Sequence, residues 1–353
     1  MTLAARLPRF PWDLLAPYRE KARAHRGGIV DLSVGTPVDP VPQVVQRALA
    51  DAADAPGYPL ASGTPAVREA AAGWLARRHG VRVDPAAVLP LLGTKEFIAS
   101  LPALLGCGPG DIVIHPHLAY PTYEVGARLA GARPVGAQTL PPTGSGPGTG
   151  VRDGAGLPDH PDAGSGRIAL AWVNSPANPT GRILDAGQLR AAARWGREQG
   201  AVVASDECYI DLGWDAAPLS ILHPDVSGAA HDGLLAVHSL SKRSNLAGYR
   251  AGFVTGDRGL VAELLEIRRH AGMIMPAPVQ AAMIAALSDD GHADRQRARY
   301  AERRAKLMAA MSSAGWQISE SAGGLYLWAS RPGHDGWACV QMLAEAGILV
   351  APG

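Results

Sequence analysis

With 353 residues, 47% of them hydrophobic and 18% charged, the chain can build one large core and a smaller second one, and its balance is that of an ordinary globular protein. A formal net charge of +1 gives no support to a nucleic-acid or polyanion partner. The scattered cysteines Cys107, Cys208 and Cys339 argue for a reducing compartment and against a disulfide framework, while the lack of a secretory core or of a ~20-residue apolar span predicts a cytoplasmic, enzyme-sized protein.

The first strong helix signal is Thr64-Pro65. Threonine can cap, and proline fits the first helical position; the helix runs through Trp74 to about His79 and stops at Gly80. An apolar run at 88–92 then delivers Gly93-Thr94-Lys95-Glu96, which opens a helix over 95–105. Strands are expected at 111–115, 133–137, 167–173, 201–205, 234–238 and 251–255, several apolar throughout, as strands covered on both faces are. A helix is expected over 185–199. This alternation predicts an α/β fold with a mostly parallel sheet and right-handed crossovers. Residues 141–166, crowded with Pro, Gly, Ser and Asp, read as a long surface loop. Beyond Met275 the texture changes to Ala- and Arg-rich helices at 278–287 and 294–314, short strands at 317–319 and 324–328, a helix near 335–346 and a strand at 348–351. These predict a smaller α+β domain, built from 1–40 and 275–353, beside a large domain over 41–274.

In a parallel α/β sheet, ligands bind at the carboxyl ends of the strands. Four motifs fall there. Gly93-Thr94-Lys95-Glu96 places backbone amides at a helix start, where they can hold an anion, although Gly-Thr before a helix is most often a turn and a cap. Asn174-Ser175-Pro176-Ala177-Asn178-Pro179-Thr180-Gly181 is a proline-fixed turn that can hold asparagine amides in place. Ser205-Asp206-Glu207-Cys208-Tyr209 ends a strand; Asp206 and Tyr209 could bind the two sides of an aromatic heterocycle, and Asp206 could equally be a helix cap. The fourth is Ser239-Leu240-Ser241-Lys242-Arg243-Ser244-Asn245-Leu246-Ala247-Gly248-Tyr249-Arg250, which follows the buried-strand pattern of Leu234-Leu235-Ala236-Val237. A lysine delivered by such a strand can lose its proton and attack a carbonyl, and the serines and Arg250 suit a phosphate. An aldehyde and a phosphate on one molecule describe pyridoxal phosphate (PLP).

Together these motifs resemble the class I/II aminotransferases, fold type I of the PLP enzymes, over nearly the whole chain. More finely, the Lys242 segment and Leu118-Ala119-Tyr120-Pro121-Thr122-Tyr123-Glu124-Val125-Gly126-Ala127 are similar to the succinyldiaminopimelate aminotransferases of bacterial lysine biosynthesis. The resemblance implies a seven-stranded, mostly parallel sheet and PLP held covalently by Lys242, which would also shuttle the substrate proton. It implies that Asp206 keeps the pyridine nitrogen protonated, that Tyr209 and Asn178 bond the ring oxygen, and that Tyr120 stacks on the ring. Thr94, Lys95, Ser239 and Arg250 would hold the phosphate, with help from Ser241. Tyr58 would reach the phosphate of a neighbouring subunit, which implies a homodimer with shared sites. Gly35, in Leu32-Ser33-Val34-Gly35-Thr36-Pro37, would let the N-terminal segment approach the substrate. The partners so implied are amino-acid and oxo-acid substrates, with no nucleic acid and no membrane.

One departure stands out. In the family, a stretch beyond the last strand carries the arginine that clamps the substrate α-carboxylate; the sequence stops at Gly353 without it. The expectation is a missing C-terminal segment, and, for a chain that ended there, intact PLP binding with much weakened amino-acid affinity. Fold type I also includes C–S β-lyases, which would release pyruvate, and PLP-binding regulatory modules without turnover, which carry a basic DNA-binding domain not visible in this sequence. His115 and His117 have no third ligand at metal spacing, so no metal is expected. Arg268-Arg269-His270 reads as a solvated helix face, Trp74, Trp195, Trp316 and Trp328 as packing, and the three cysteines as small buried residues. Tyr326 could edge the site or merely belong to its strand.

Overall fold

The computed structural model describes residues 3–142, 166–228 and 230–353. The surface loop expected over 141–166 therefore lies, for 143–165, outside the described residues. The strands are β1 (Val30–Asp31), β2 (Val88–Leu92), β3 (Asp111–Pro116), β4 (Arg133–Ala137), β5 (Arg167–Asn174), β6 (Val202–Asp206), β7 (Leu234–Ser239), β8 (Ala251–Gly256), β9 (Gln317–Ser319), β10 (Trp328–Ser330) and β11 (Ile348–Leu349). The helices are α1 (Ala16–Arg23), α2 (Gln43–Asp51), α3 (Pro65–His79), α4 (Thr94–Leu104), α5 (Thr122–Ala130), α6 (Ala186–Gln199), α7 (Pro224–Ser227), α8 (Leu240–Arg243), α9 (Arg258–His270), α10 (Ala277–Ser288), α11 (Asp290–Ser313) and α12 (Gly336–Glu345). Among the described residues no helix is long and apolar enough to cross a membrane.

Seven strands form one sheet in the order β2-β8-β7-β6-β5-β3-β4. All run parallel except β8, which is antiparallel to both neighbours. The mostly parallel α/β sheet expected from the alternating apolar runs is the observed one. Strand β7 is buried at every position, as its lack of polar alternation requires. One face packs Trp74, Leu189, Phe253 and Met283 into a core; the other packs Phe97, Leu101, Tyr123 and Trp172. Local chemistry fixes the helix ends. The Thr64 hydroxyl accepts from the Val67 amide and Gly80 ends α3 at φ 65°. Asp185 and Gln188 close a reciprocal cap on α6.

Away from the main sheet, β1 pairs in parallel with β11, so the N-terminal segment lies against the end of the chain. Strand β9 pairs with β10. The strand expected over 324–328 is displaced to β10. Three amides at 321–324 are used elsewhere: Ser321 donates to the Thr180 carbonyl (2.9 Å), Gly323 to Gly181 (2.8 Å) and Gly324 to Leu212 (2.8 Å). That segment is bound over the Asn178–Gly181 turn and cannot also form a ladder.

Candidate active site

The carboxyl ends of β5, β6 and β7 meet the start of α4. Strand β7 ends at Ser239, whose hydroxyl accepts from the Ser241 amide (3.1 Å) and caps the short α8. One residue further, Lys242 is directed inward. Its Nζ donates to the carbonyl of Gly35, so the N-terminal segment crosses the site at that glycine. A Cβ at Gly35 would lie 2.6 Å from Tyr326 Oη, which leaves space there only for hydrogen. Burial lowers the Lys242 pKa, and the Arg250 charge acts in the same direction. The lysine is thus shifted toward the free amine that nucleophilic attack needs.

On the neighbouring strand Asp206 is buried, and burial raises its pKa. Its oxygens accept from the Tyr123 hydroxyl (2.7 Å) and the Cys208 amide (3.1 Å), and both bonds favour the ionised form. Such a carboxylate is suited to a cationic nitrogen. Tyr209 is buried three residues on, its ring edge-on to Tyr326 with centroids 6.2 Å apart. Burial pushes its hydroxyl well above the usual phenol range, so it remains a donor. The Asn178 amide donates to Asn174 Oδ1 (2.7 Å), while Asn174 Nδ2 donates to the carbonyls of Asp206 (2.9 Å) and Pro176 (3.2 Å). Asn174 therefore ties the turn to the end of β6.

The anion end is built by α4 and Arg250. Gly93 precedes the helix at φ 83°, and a Cβ there would land on the Arg250 guanidinium. Arg250 itself adopts φ 56° and donates to the Ala247 carbonyl (3.0 Å), which bends it back toward the helix start. Thr94 is the first helical residue; its Oγ1 accepts from the Cys208 thiol (3.2 Å), leaving the hydroxyl proton to be donated elsewhere. Lys95 is exposed, its ammonium 5.3 Å from the Phe10 ring centroid and 5.6 Å from that of Tyr120. Tyr58 is fully exposed on the surface.

Sequence reasoning gave no role to Tyr123, Asn174 or the Cys208–Thr94 contact. The spacing of Tyr120 and Tyr123 at a helix start, and of Asn174 and Asn178 in one turn, was the available signal. The solvated face expected at Arg268-Arg269-His270 is corrected for Arg268. It is fully buried and makes a two-pronged pair with Glu96 of α4 (3.1 Å for each bond). Cys208 is half-buried, whereas Cys107 and Cys339 are buried. Among the described residues no group of three His, Cys, Asp or Glu could hold a metal ion.

A half-buried lysine shifted toward its free amine, a buried acid and an arginine-backed helix start, at adjoining strand ends of a mostly parallel sheet, make up a PLP-type site. The Gly93–Arg250 cradle and the buried Asp206, which pairs with no cationic side chain among the described residues, fit its phosphate and its ring nitrogen. The sequence profile "Aminotransferase class I and II" matches residues 28–353, and the chain belongs to that family, whose members are PLP-dependent. The chain is 56% identical over 349 residues to "4-dedimethylamino-4-oxo-anhydrotetracycline transaminase OxyQ" of Streptomyces rimosus, covering 98% of this chain and 91% of that one. It is also 56% identical to a probable aminotransferase of Mycobacterium tuberculosis, covering 99% and 79%. Among solved structures, a probable N-succinyldiaminopimelate aminotransferase from Thermus thermophilus superposes with a TM-score of 0.80 at 30% identity, covering 96% and 90%.

Proposed function

We propose that Lys242 holds the PLP aldehyde carbon covalently and that the site exchanges an amino group between glutamate and an oxo acceptor. The observation that carries this is the pairing of a half-buried, amine-shifted Lys242 with a buried Asp206 at the ends of adjacent strands. When bound, PLP supplies a protonated ring that withdraws electrons from the substrate Cα bonds. Asp206 holds the proton on the ring nitrogen, and Tyr123 and the Cys208 amide orient the Asp206 carboxylate. Tyr209 and Asn178 donate to the ring oxygen, and Tyr120 covers the ring. Thr94, the first-turn amides with Lys95, Ser239, Ser241 and Arg250 bind the phosphate. Lys242, freed as an amine, would be the group that takes up and gives back the substrate Cα proton. Gly35 and Tyr326 border the space for the substrate.

For the acceptor, the resemblance read from the sequence and the Thermus thermophilus structure support N-succinyl-2-amino-6-oxopimelate, giving N-succinyl-LL-diaminopimelate for lysine biosynthesis. A second reading is favoured by the 56% identity to the Streptomyces rimosus transaminase: a ketone on a polycyclic skeleton. Glutamate is expected to convert the bound cofactor to its amine form, seen as an absorbance shift, and each acceptor is then offered to that form. K242A should abolish the shift. An intact shift in K242A, or borohydride trapping at another side chain, overturns the lysine assignment; return of the original absorbance with only one acceptor decides the substrate class.

A further inference from the structure

Behind the site, on the other face of the sheet, two buried polar side chains face each other, and among the described residues each keeps at least one polar atom without a hydrogen-bond partner. Successive strand residues point to opposite faces, so Glu207 lies opposite Asp206, and His238 opposite Ser239. The Glu207 amide donates to the Val237 carbonyl (2.9 Å), which brings the two side chains together. Glu207 Oε1 accepts from the Ile221 amide (2.8 Å). Its Oε2 lies 3.7 Å from His238 Nε2. Both side chains are at most 1% exposed, and among the described residues neither Oε2 nor either ring nitrogen of His238 has a hydrogen-bond partner. Aromatic rings close the cage: Trp74 meets His238 edge-on at 5.3 Å and Phe253 lies 4.8 Å away. No lysine or arginine pairs with Glu207 among the described residues. The nearby guanidinium of Arg243 is held by Asp211 (2.6 Å), which also faces His79 (3.2 Å).

The geometry points to Glu207 and His238 acting as one positioning unit, a protonated carboxyl handing a hydrogen bond to a neutral imidazole, which fixes the ends of β6 and β7 and with them Asp206 and Lys242. At 3.7 Å the two orphaned atoms are in contact but not yet hydrogen-bonded; a small approach would let one proton satisfy both, whereas two charges would need a solvation that this cage does not supply. Burial drives both groups to the neutral form, raising Glu207 to about 7 and lowering His238 to about 3. On the pair's own face lie Ser205 of β6 and Ser220, whose hydroxyls favour the carboxylate against burial, with Trp74 and His79 of α3, Asp211, and Arg243 of α8; the Asp206 charge acts on Glu207 from the other face. Because the neutral carboxyl is the form the fold prefers, its contribution is complete at low pH and is lost as pH rises through about 7. The new negative charge would then sit one residue from Asp206.

This inference rests on the PLP reading and is tested on holoenzyme in which cofactor binding has been confirmed. An infrared carboxyl band of a protonated buried acid should be present at pH 6 and absent from E207Q. E207Q, which keeps a donor toward His238, should retain cofactor affinity and turn over within about three-fold of wild type, and its rate should lose the alkaline decline near neutrality. E207A should lose about ten-fold in turnover. H238F, which fills the cage but removes the acceptor, should move that decline. An E207Q profile identical to wild type, no protonated-acid band, or an unmoved decline in H238F overturns the pair. Failure of all variants and of wild type to bind PLP would instead overturn the cofactor reading.

Discussion

Gly93 meets two demands at one position. It adopts φ 83° before α4, and its missing side chain leaves the space that the Arg250 guanidinium occupies. Any larger residue must strain the backbone and push the Arg250 guanidinium aside. G93A is therefore expected to weaken PLP binding about ten-fold, on the ~1–2 kcal/mol cost of a left-handed non-glycine residue plus displacement of Arg250. Titration of apoprotein with PLP measures this; unchanged affinity would show that Arg250 does not act through this cradle. At this scale the sequence was most legible where chemistry sits in consecutive residues, as around Lys242 and Asp206. It was least legible for Tyr123, whose phenol bonds Asp206 across 83 positions. In sequence Tyr123 is an apolar position on a helix face, and nothing local reports its partner.

Among the elements, the ends of α4 and α9 carry the most informative disagreement. Three basic residues closing a helix complement its dipole and read as solvated. Arg269 and His270 follow that rule, pairing with Glu266 on the surface. Arg268 does not, because the burial of its face is decided by α4, 172 positions away in the pair with Glu96. Glu96 lies in the first turn of α4, so the pair anchors the helix that presents Thr94. R268A leaves a largely buried carboxylate without its partner and should cost about 3 kcal/mol, the low end for a broken buried pair because Glu96 keeps some solvent contact. R269A should cost less than about 0.5 kcal/mol, as an exposed pair does. Denaturant unfolding compares the two; equal losses would remove the anchoring role. Six of the sheet's seven strands, by contrast, were readable from their runs of largely apolar residues, while β2 was read only as an apolar run. The β10 displacement was not readable, because it depends on which amides the Asn178–Gly181 turn captures.

On the scale of the whole molecule, the site is assembled by segments far apart in the chain. Residues 30–31 pair with 348–349, the Gly35 carbonyl receives the Lys242 ammonium, and Asp39 is gripped by Arg303 through two bonds (2.6 and 2.7 Å). That grip holds the Asp39 carboxyl down at about 2. Beyond this assembly the fold leaves large side chains in water: Tyr58 is fully exposed, Val38 is 80% exposed and Leu60 59%. Taken singly such residues need no partner, but if they lie in one patch a partner surface would cover them. We propose that the partner is a second copy of this chain, whose phosphate site receives Tyr58. Sedimentation equilibrium should give twice the chain mass. Y58F should then lose about ten-fold in PLP affinity, the effect of one hydrogen bond to a charged group, while remaining dimeric. Y58F binding PLP as tightly as wild type would leave Tyr58 as interface packing only, and a monomer with full activity would remove the shared site altogether.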